Sequence, residues 1–291
     1  FVDIFRVRGG KVHDWMLHGP LQDEYGVKAS LQLQPQAGKL HTWLEQLRSA
    51  RTDGTWQAEF VAATGETVRT TMLAAPGTEV ILAQGPAMRR EGMQTFLDVR
   101  REEPESVFVA VHEPYVGQPR VRSVKLLAPE RASEMAVAVQ VELEGRTDTI
   151  LSTLDEAGEV AGNGMALRGR FGYVSTASGA TQTLYMADAR SLKAGQASLA
   201  SEAAYTGAVT KTLRATQRDA VNAFVTDARL PEKDLAGRLL LTIDGDGSTR
   251  GFLVKSVTRQ AEDTVIAVDR DPGMSLEKGY VKLLYYPNWG I

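Results

Sequence analysis

The 291 residues predict an all-β fold, with a large antiparallel sandwich followed by a smaller β-sandwich-like domain. Three observations carry the prediction. Short runs of alternating apolar and polar residues recur along the whole chain. Gly and Pro punctuate these runs at even intervals. Sustained helical spacing is confined to one segment. Regularly spaced short strands favour a sandwich over a parallel α/β sheet.

In chain order, Phe1–Val7 and Lys11–Leu17 alternate about Arg8-Gly9-Gly10, which reads as a hairpin turn. Val27–Leu33 is a further strand. Leu40, Trp43, Leu44 and Leu47 then repeat at helical spacing between Gly38 and Gly54, predicting a short helix near residues 39–50. Strands follow at Trp56–Ala62, Thr67–Leu73, Thr78–Ala83, Thr95–Arg101, Ser106–His112 and Arg120–Leu127. Met135–Leu143 and Arg146–Leu151 flank Glu144-Gly145. Ala187–Leu192 reads as a second possible turn of helix. The small, polar stretch Ser198–Tyr205 marks a boundary, giving domains 1–198 and 199–291. Six short strands follow it, at Ala208–Thr216, Ala220–Asp227, Arg238–Ile243, Gly251–Thr258, Thr264–Asp269 and Tyr280–Tyr286.

Composition excludes several functions. The 33 basic and 36 acidic residues are mixed, with a net charge of -3 and no block of one sign. A nucleic-acid or anionic-membrane partner therefore has no electrostatic footprint. With no cysteine, disulfides, thiolate catalysis and Cys-ligated metals are ruled out. The longest apolar runs, such as Val107–Val111, are too short for a bilayer, and no signal peptide is expected within these residues. The chain opens directly in strand-like alternation without an initiator Met, which reads as a fragment of a longer protein.

Two short motifs hold most of the reactive side chains. In His13-Asp14-Trp15-Met16-Leu17-His18, two imidazoles and a carboxylate suggest a metal site. Strand period two argues against it: His13, Trp15 and Leu17 face one way, and Asp14, Met16 and His18 the other. Hydrogen-bonded histidines and a core Trp are the commoner uses; the sharper reading puts one face on a glycan cleft. Val111-His112-Glu113-Pro114-Tyr115 contains acid–base residue types, but adjacent residues point apart and Pro114 is expected to end the strand. A local turn motif is the commoner use, and a sugar-contacting Tyr115 the sharper one.

Arg89-Arg90 and Arg100-Arg101 are basic pairs that could clamp a carboxylate or sulfate. Each pair splits across two strand faces, and solvated charge or a salt bridge to Glu102, Glu103 or Glu105 is the commoner use. Asp244-Gly245-Asp246-Gly247-Ser248 lacks the distal glutamate of a calcium loop and reads as a hairpin turn, as does Gly162-Asn163-Gly164.

Three stretches resemble the heparinase II/III-like polysaccharide lyases. The first is Phe1-Val2-Asp3-Ile4-Phe5-Arg6-Val7 through Gly9-Gly10 and His13-Asp14-Trp15 to His18-Gly19. The second is Gly77-Thr78-Glu79-Val80-Ile81 with Arg100-Arg101 and Ser106 through Tyr115. The third is Gly145-Arg146-Thr147-Asp148 with Gly169-Arg170-Phe171-Gly172; Asp271-Pro272-Gly273 also fits.

The resemblance implies an antiparallel super-sandwich and a smaller β domain, preceded by an α/α toroid that would be the first partner. The implied activity is β-elimination of uronic-acid polysaccharides, with catalytic Tyr and His in the toroid and first sandwich strands. The implied structural zinc is held by His and Asp in those same upstream strands. None of these groups maps onto this chain, so no catalytic residue, no metal ligand and no cofactor is expected within it.

The expectation is a non-catalytic β portion of a secreted or periplasmic lyase, serving as scaffold and cleft wall for an acidic polysaccharide. The glycan-contact candidates are His13, Trp15, His18, Arg101, His112 and Tyr115. Two rivals remain. One is an autonomous carbohydrate-binding module, with Trp56, Tyr173 and Tyr185 as its exposed aromatics. The other is a purely structural interaction module. An exposed apolar surface is expected where a neighbouring domain would dock.

Overall fold

A computed structural model of the chain describes residues 1–19, 25–87, 91–201, 205–217, 219–233, 235–245, 247–273 and 282–285. The chain is all-β, and its sheets are antiparallel. Strands β1 (Val2–Arg8), β2 (His13–His18), β3 (Tyr25–Ala29), β4 (Gln34–Pro35), β5 (Glu45–Thr52) and β6 (Trp56–Ala62) come first. Next are β7 (Thr67–Met72), β8 (Thr78–Pro86), β9 (Met93–Arg101), β10 (Glu105–Tyr115), β11 (Val121–Leu126) and β12 (Arg131–Ala132). Then come β13 (Val137–Leu143), β14 (Arg146–Ser152), β15 (Glu159–Gly162), β16 (Met165–Ala177), β17 (Ala180–Ala194) and β18 (Ala197–Ala200). The last six are β19 (Thr206–Leu213), β20 (Ala223–Thr226), β21 (Leu239–Ile243), β22 (Thr249–Gln260), β23 (Asp263–Val268) and β24 (Lys282–Tyr285).

Contacts divide the chain into two compact units. One comprises Phe1–Ala128, Val137–Thr149 and Thr176–Ser178; the other comprises Pro129–Ala136, Ile150–Ser175 and Gly179–Ile291.

The first unit is a two-layer sandwich. One layer runs β1-β10-β7-β6-β3 and the other β2-β9-β8-β5-β4. Alternation buries one face of each strand. Trp56, Ala58, Phe60, Met72, Phe108 and Ala110 from the first layer meet Trp15, Val80, Leu82, Leu97 and Val99 from the second. Each large side chain so buried contributes about 1.5–3 kcal/mol. Phe108, Met72, Leu97, Val80 and Val99 are fully enclosed.

The expected hairpin at Arg8-Gly9-Gly10 is instead a corner between layers. β1 pairs with β10, while β2 pairs with β9. Period two fixes which side chains turn inward but not which sheet a strand joins. Gly9 and Gly10 take positive φ (90° and 84°), which a glycine adopts without strain. His13 Nε2 bonds Gly9 O at 2.6 Å, and Gly9 N donates to Pro104 O at 2.9 Å, fixing the corner.

The helix expected near residues 39–50 is not formed. Leu40 and Leu44 exchange two backbone hydrogen bonds of 2.9 Å across a tight turn, and β5 begins at Glu45. His41 and Thr42 sit in the left-handed region at its tip (φ 51° and 64°). Leu40, Leu44 and Leu47 still share one environment, packed on Ile81, Ala83 and Phe96 of the second layer's outer face. Helical spacing therefore marked a common apolar contact, reached by a turn and a strand. Gly85 permits the approach: a Cβ there would lie 2.7 Å from Trp43 and 2.8 Å from both Leu44 and Phe96. Ala187–Leu192, the other expected helical turn, lies within β17. The helical residues among those described are the 3-10 turn Ala215–Gln217.

In the second unit, β12, β15 and β16 pair in succession, and β17 pairs with β18. Gly162-Asn163-Gly164 forms the tight turn from β15 to β16, with Asn163 and Gly164 both left-handed (φ 53° and 72°). The last six strands close into a barrel, β19-β20-β23-β22-β21-β24, where two separate layers were expected. Val209, Phe224, Leu240, Phe252, Val254 and Ile266 fill it. Closure removes the open edges that so small a sheet would otherwise expose. The Asp244–Ser248 segment joins paired β21 and β22, with Asp244 N donating to Ser248 O; Asp246 lies outside the described residues.

Candidate functional site

A cavity of about 610 Å³ opens within the first unit, where β2, β3, β6, β7 and β10 bring their ends together. Aromatic faces of Phe1, Tyr25, Phe60 and Tyr115 line it, with the imidazoles of His18 and His112 and the polar groups of Glu66 and Thr67. This mixture, mostly apolar with a few fixed polar groups, suits a small ligand or a segment of a chain-like one.

Three of the six expected glycan-contact residues, His18, His112 and Tyr115, converge here. His112 is nearly buried, its Nδ1 3.0 Å from Thr70 Oγ1, and its ring stacks on Phe1 (4.5 Å, 24°) and on Trp15 (5.9 Å, 25°). Burial holds its pKa below the ordinary histidine value, and the Asp3 carboxylate opposes the shift. Tyr115 donates to Glu59 Oε1 at 2.9 Å, and its pKa is raised, by burial first and then by Glu59. His18 Nδ1 bonds Gly19 O at 2.7 Å, and its ring meets Phe96 edge-on. These are positioned rings and a pinned hydroxyl, chemistry suited to stacking and hydrogen bonding.

Trp15 stands behind the cavity in the sandwich core, its Nε1 donating to Asp3 Oδ2 at 3.0 Å. His13 and Arg101, directly paired across β2 and β9, are not among the residues lining it. His13 is buried against Ser106 and Gly9. Arg101 is 3% exposed, donates to Thr78 Oγ1 and Val107 O, and lies 4.3 Å over the Phe108 ring. Its guanidinium thus points into the core.

The pair Arg100-Arg101 does split across two faces, but the expected glutamate partners are replaced. Arg100 forms a two-pronged contact with Asp14 at 2.7 and 2.9 Å. Arg89-Arg90 lies outside the described residues. Pro114 does not end its strand: β10 continues to Tyr115, paired with β7. Phe1 and His112 exchange backbone hydrogen bonds of 2.8 and 2.9 Å, and Pro114 lies two residues beyond them, still paired with Val68 of β7. Glu113, on the opposite face from His112, binds Arg69 at 2.7 Å and accepts from Val121 N at 2.8 Å. Trp56 is a core residue at 2% exposure, which removes it from any exposed aromatic row.

A second constellation was not singled out in the sequence. On the outer face of the second layer, His41 Nε2 lies 3.2 Å from both Asp14 Oδ2 and Asp98 Oδ2. Asp14 arrives from β2, Asp98 from β9, and His41 from the tip of the turn that Leu40 and Leu44 anchor. Asp98 has no exposure, and its Oδ1 has no hydrogen-bond partner. Burial and the neighbouring Asp14 charge raise its pKa to about 6. Burial disfavours the Asp14 carboxylate too, but Arg100, with His41 and Asp98, more than offsets it, so that the Asp14 pKa is lowered. The legible signal was an acid in the run Phe96-Leu97-Asp98-Val99, where strand pairing leaves little room for water.

Residues 121–212, from β11 through β19, match the family model of the endo-acting ulvan lyase C-terminal domain. That part of the chain is therefore similar to a domain of a polysaccharide lyase. Both constellations lie outside the matched stretch. No curated protein matches the chain.

Proposed function

We propose that this chain is the β portion of a polysaccharide lyase of the heparinase II/III-like type, which scaffolds the enzyme and walls its glycan cleft without catalysing on its own. The observation that carries the reading is the match of residues 121–212 to an ulvan lyase domain. The cavity beside His18, His112 and Tyr115 supports it, because aromatic faces with a few fixed polar atoms suit sugar rings. So do the outer edges of β1 and β2, which pair on one side only among the described residues. Phe5, opposite Phe108 on the core side of β1, stays 43% exposed at this edge, and Phe1 and Met16 are exposed as well. An α/α-toroid-bearing part of the enzyme would cover such a seam. The glycan is an acidic uronate polysaccharide, and the place of action is outside the cytoplasm.

The test is calorimetric titration of the chain with ulvan, alginate, heparin and chondroitin oligosaccharides, beside a lyase assay for the unsaturated uronate chromophore. Weak binding of one acidic glycan, lowered by Tyr115→Ala and without turnover, is expected. Turnover by the chain would overturn the non-catalytic assignment. Tight binding unaffected by Tyr115→Ala would favour an autonomous binding module with another contact face.

A further inference from the structure

We propose that Asp14, His41 and Asp98 form a binding site for a divalent transition-metal cation, Zn²⁺ being the best fit, which ties the residue 40–44 turn to the outer face of the sandwich. The donor set is one imidazole nitrogen and two carboxylate oxygens, all within 4.8 Å of one another. Neutral imidazole and carboxylate are ordinary zinc ligands, whereas calcium takes six to eight oxygens. The site uses none of the upstream residues to which the family resemblance assigns a zinc.

The spacing suits a shared cation as well as it suits the His41–Asp98 hydrogen bond present without one. His41 Nε2 is 3.2 Å from each carboxylate oxygen. A charge-assisted N–H···O contact closes to about 2.7–2.9 Å, and one N–H aims at one acceptor. Zinc bonds of ~2.0–2.2 Å put neighbouring tetrahedral ligand atoms about 3.3–3.6 Å apart, close to the separations found.

The second observation is independent of that spacing. Asp98 is fully buried, beside another carboxylate, and its Oδ1 lacks a partner. Buried carboxylates in native proteins are paired or coordinate metals. Arg100 is the cation already present, and both of its contacts go to Asp14. That arrangement orients Asp14 as hydrogen-bonded outer residues orient metal-binding carboxylates. Glu79, whose charge also acts on Arg100, offsets part of its repulsion of an incoming cation.

The test uses the tag-free 291-residue chain, stripped with EDTA and desalted. It is titrated calorimetrically with Zn²⁺ alone and, separately, with Ca²⁺; Co²⁺ is added to read visible ligand-field absorption. One Zn²⁺ per chain is expected, with the intense Co²⁺ bands of a four-coordinate site. His41→Ala and Asp98→Asn should each weaken Zn²⁺ binding by more than the ~10–100-fold typical of losing an outer-shell partner. His18→Ala, at a different imidazole, should leave it unchanged. His41 sits at a turn tip with a partly exposed side chain, so its removal spares the core, and near-ultraviolet circular dichroism checks the fold of each variant. Absence of Zn²⁺ binding, or binding equal in folded His41→Ala and Asp98→Asn, overturns the site. Ca²⁺ bound in preference to Zn²⁺ overturns the assignment of cation class.

Discussion

Replacing Asp98 by Asn should stabilise the metal-free protein at neutral pH. The carboxyl is enclosed beside Asp14, and its pKa rises from 3.8 to about 6. That shift corresponds to about 3 kcal/mol against the ionised form. Because the folded value lies above the unfolded one, the native state holds the extra proton between about pH 4 and 6, and wild-type stability from this group grows as pH falls through that window. Asn keeps the shape, offers its carbonyl to His41 and its amide to Asp14, and carries no charge.

The measurement is urea unfolding in EDTA from pH 8 to pH 4, followed by tryptophan fluorescence. Trp15, Trp43 and Trp56 all lie in the first unit, so its transition dominates the signal. Asp98→Asn should exceed wild type by about 3 kcal/mol at pH 8, with the gap closing toward pH 4. Taking the difference between the two proteins cancels the titration of groups common to both. A variant less stable than wild type at pH 8, or a gap independent of pH, would refute the reasoning.

Other outcomes follow from the same contacts. Leu44→Ala, at a fully buried position, should cost ~2–5 kcal/mol in urea unfolding and raise hydrogen exchange at the residue 40–44 backbone. Since burial lowers the His112 pKa in the folded state, the unfolded chain takes up this proton first. Stability from His112 is therefore present above pH 6.5 and is lost as pH falls from there toward the folded value; His112→Gln should flatten that limb of the pH profile. Arg101→Ala, which leaves Val107 O and Thr78 Oγ1 without their buried donor, should lower stability by about 2–4 kcal/mol in thermal or urea unfolding, with no change in glycan titration.

Strand content and facing were legible because period two records burial directly. In β2, His13 and Trp15 turn inward and Asp14 and Met16 outward, as alternation requires. Partner choice was not legible. Whether Arg8-Gly9-Gly10 makes a hairpin or a corner depends on β9 and β10, some ninety residues away, and no local pattern encodes that. The Leu40/Leu44/Leu47 spacing misled for a related reason. Spacing reports that side chains share a contact, and a left-handed turn at His41-Thr42 satisfies it as well as a helix does. Arg100 and Arg101 show the limit for charges: alternation separated them, but Asp14 and the Phe108 ring, their actual neighbours, are set by pairing alone.

The two constellations are linked through β2. One strand turns Trp15 into the core behind His112, lifts Asp14 onto the outer face beside Asp98 and His41, and ends with His18 at the cavity. Because β2 pairs with β9 alone among the described residues, its position there rests on one ladder and on these side-chain contacts. A cation joining Asp14 to Asp98 and His41 would add a side-chain link across the β2–β9 ladder and tie both strands to the 40–44 turn. His18 lies on the same strand, so holding β2 also fixes one wall of the cavity. The buried charge of Asp98 costs the metal-free fold stability, and in return it places a ligand within reach of Asp14 across the one ladder that holds β2 among the described residues.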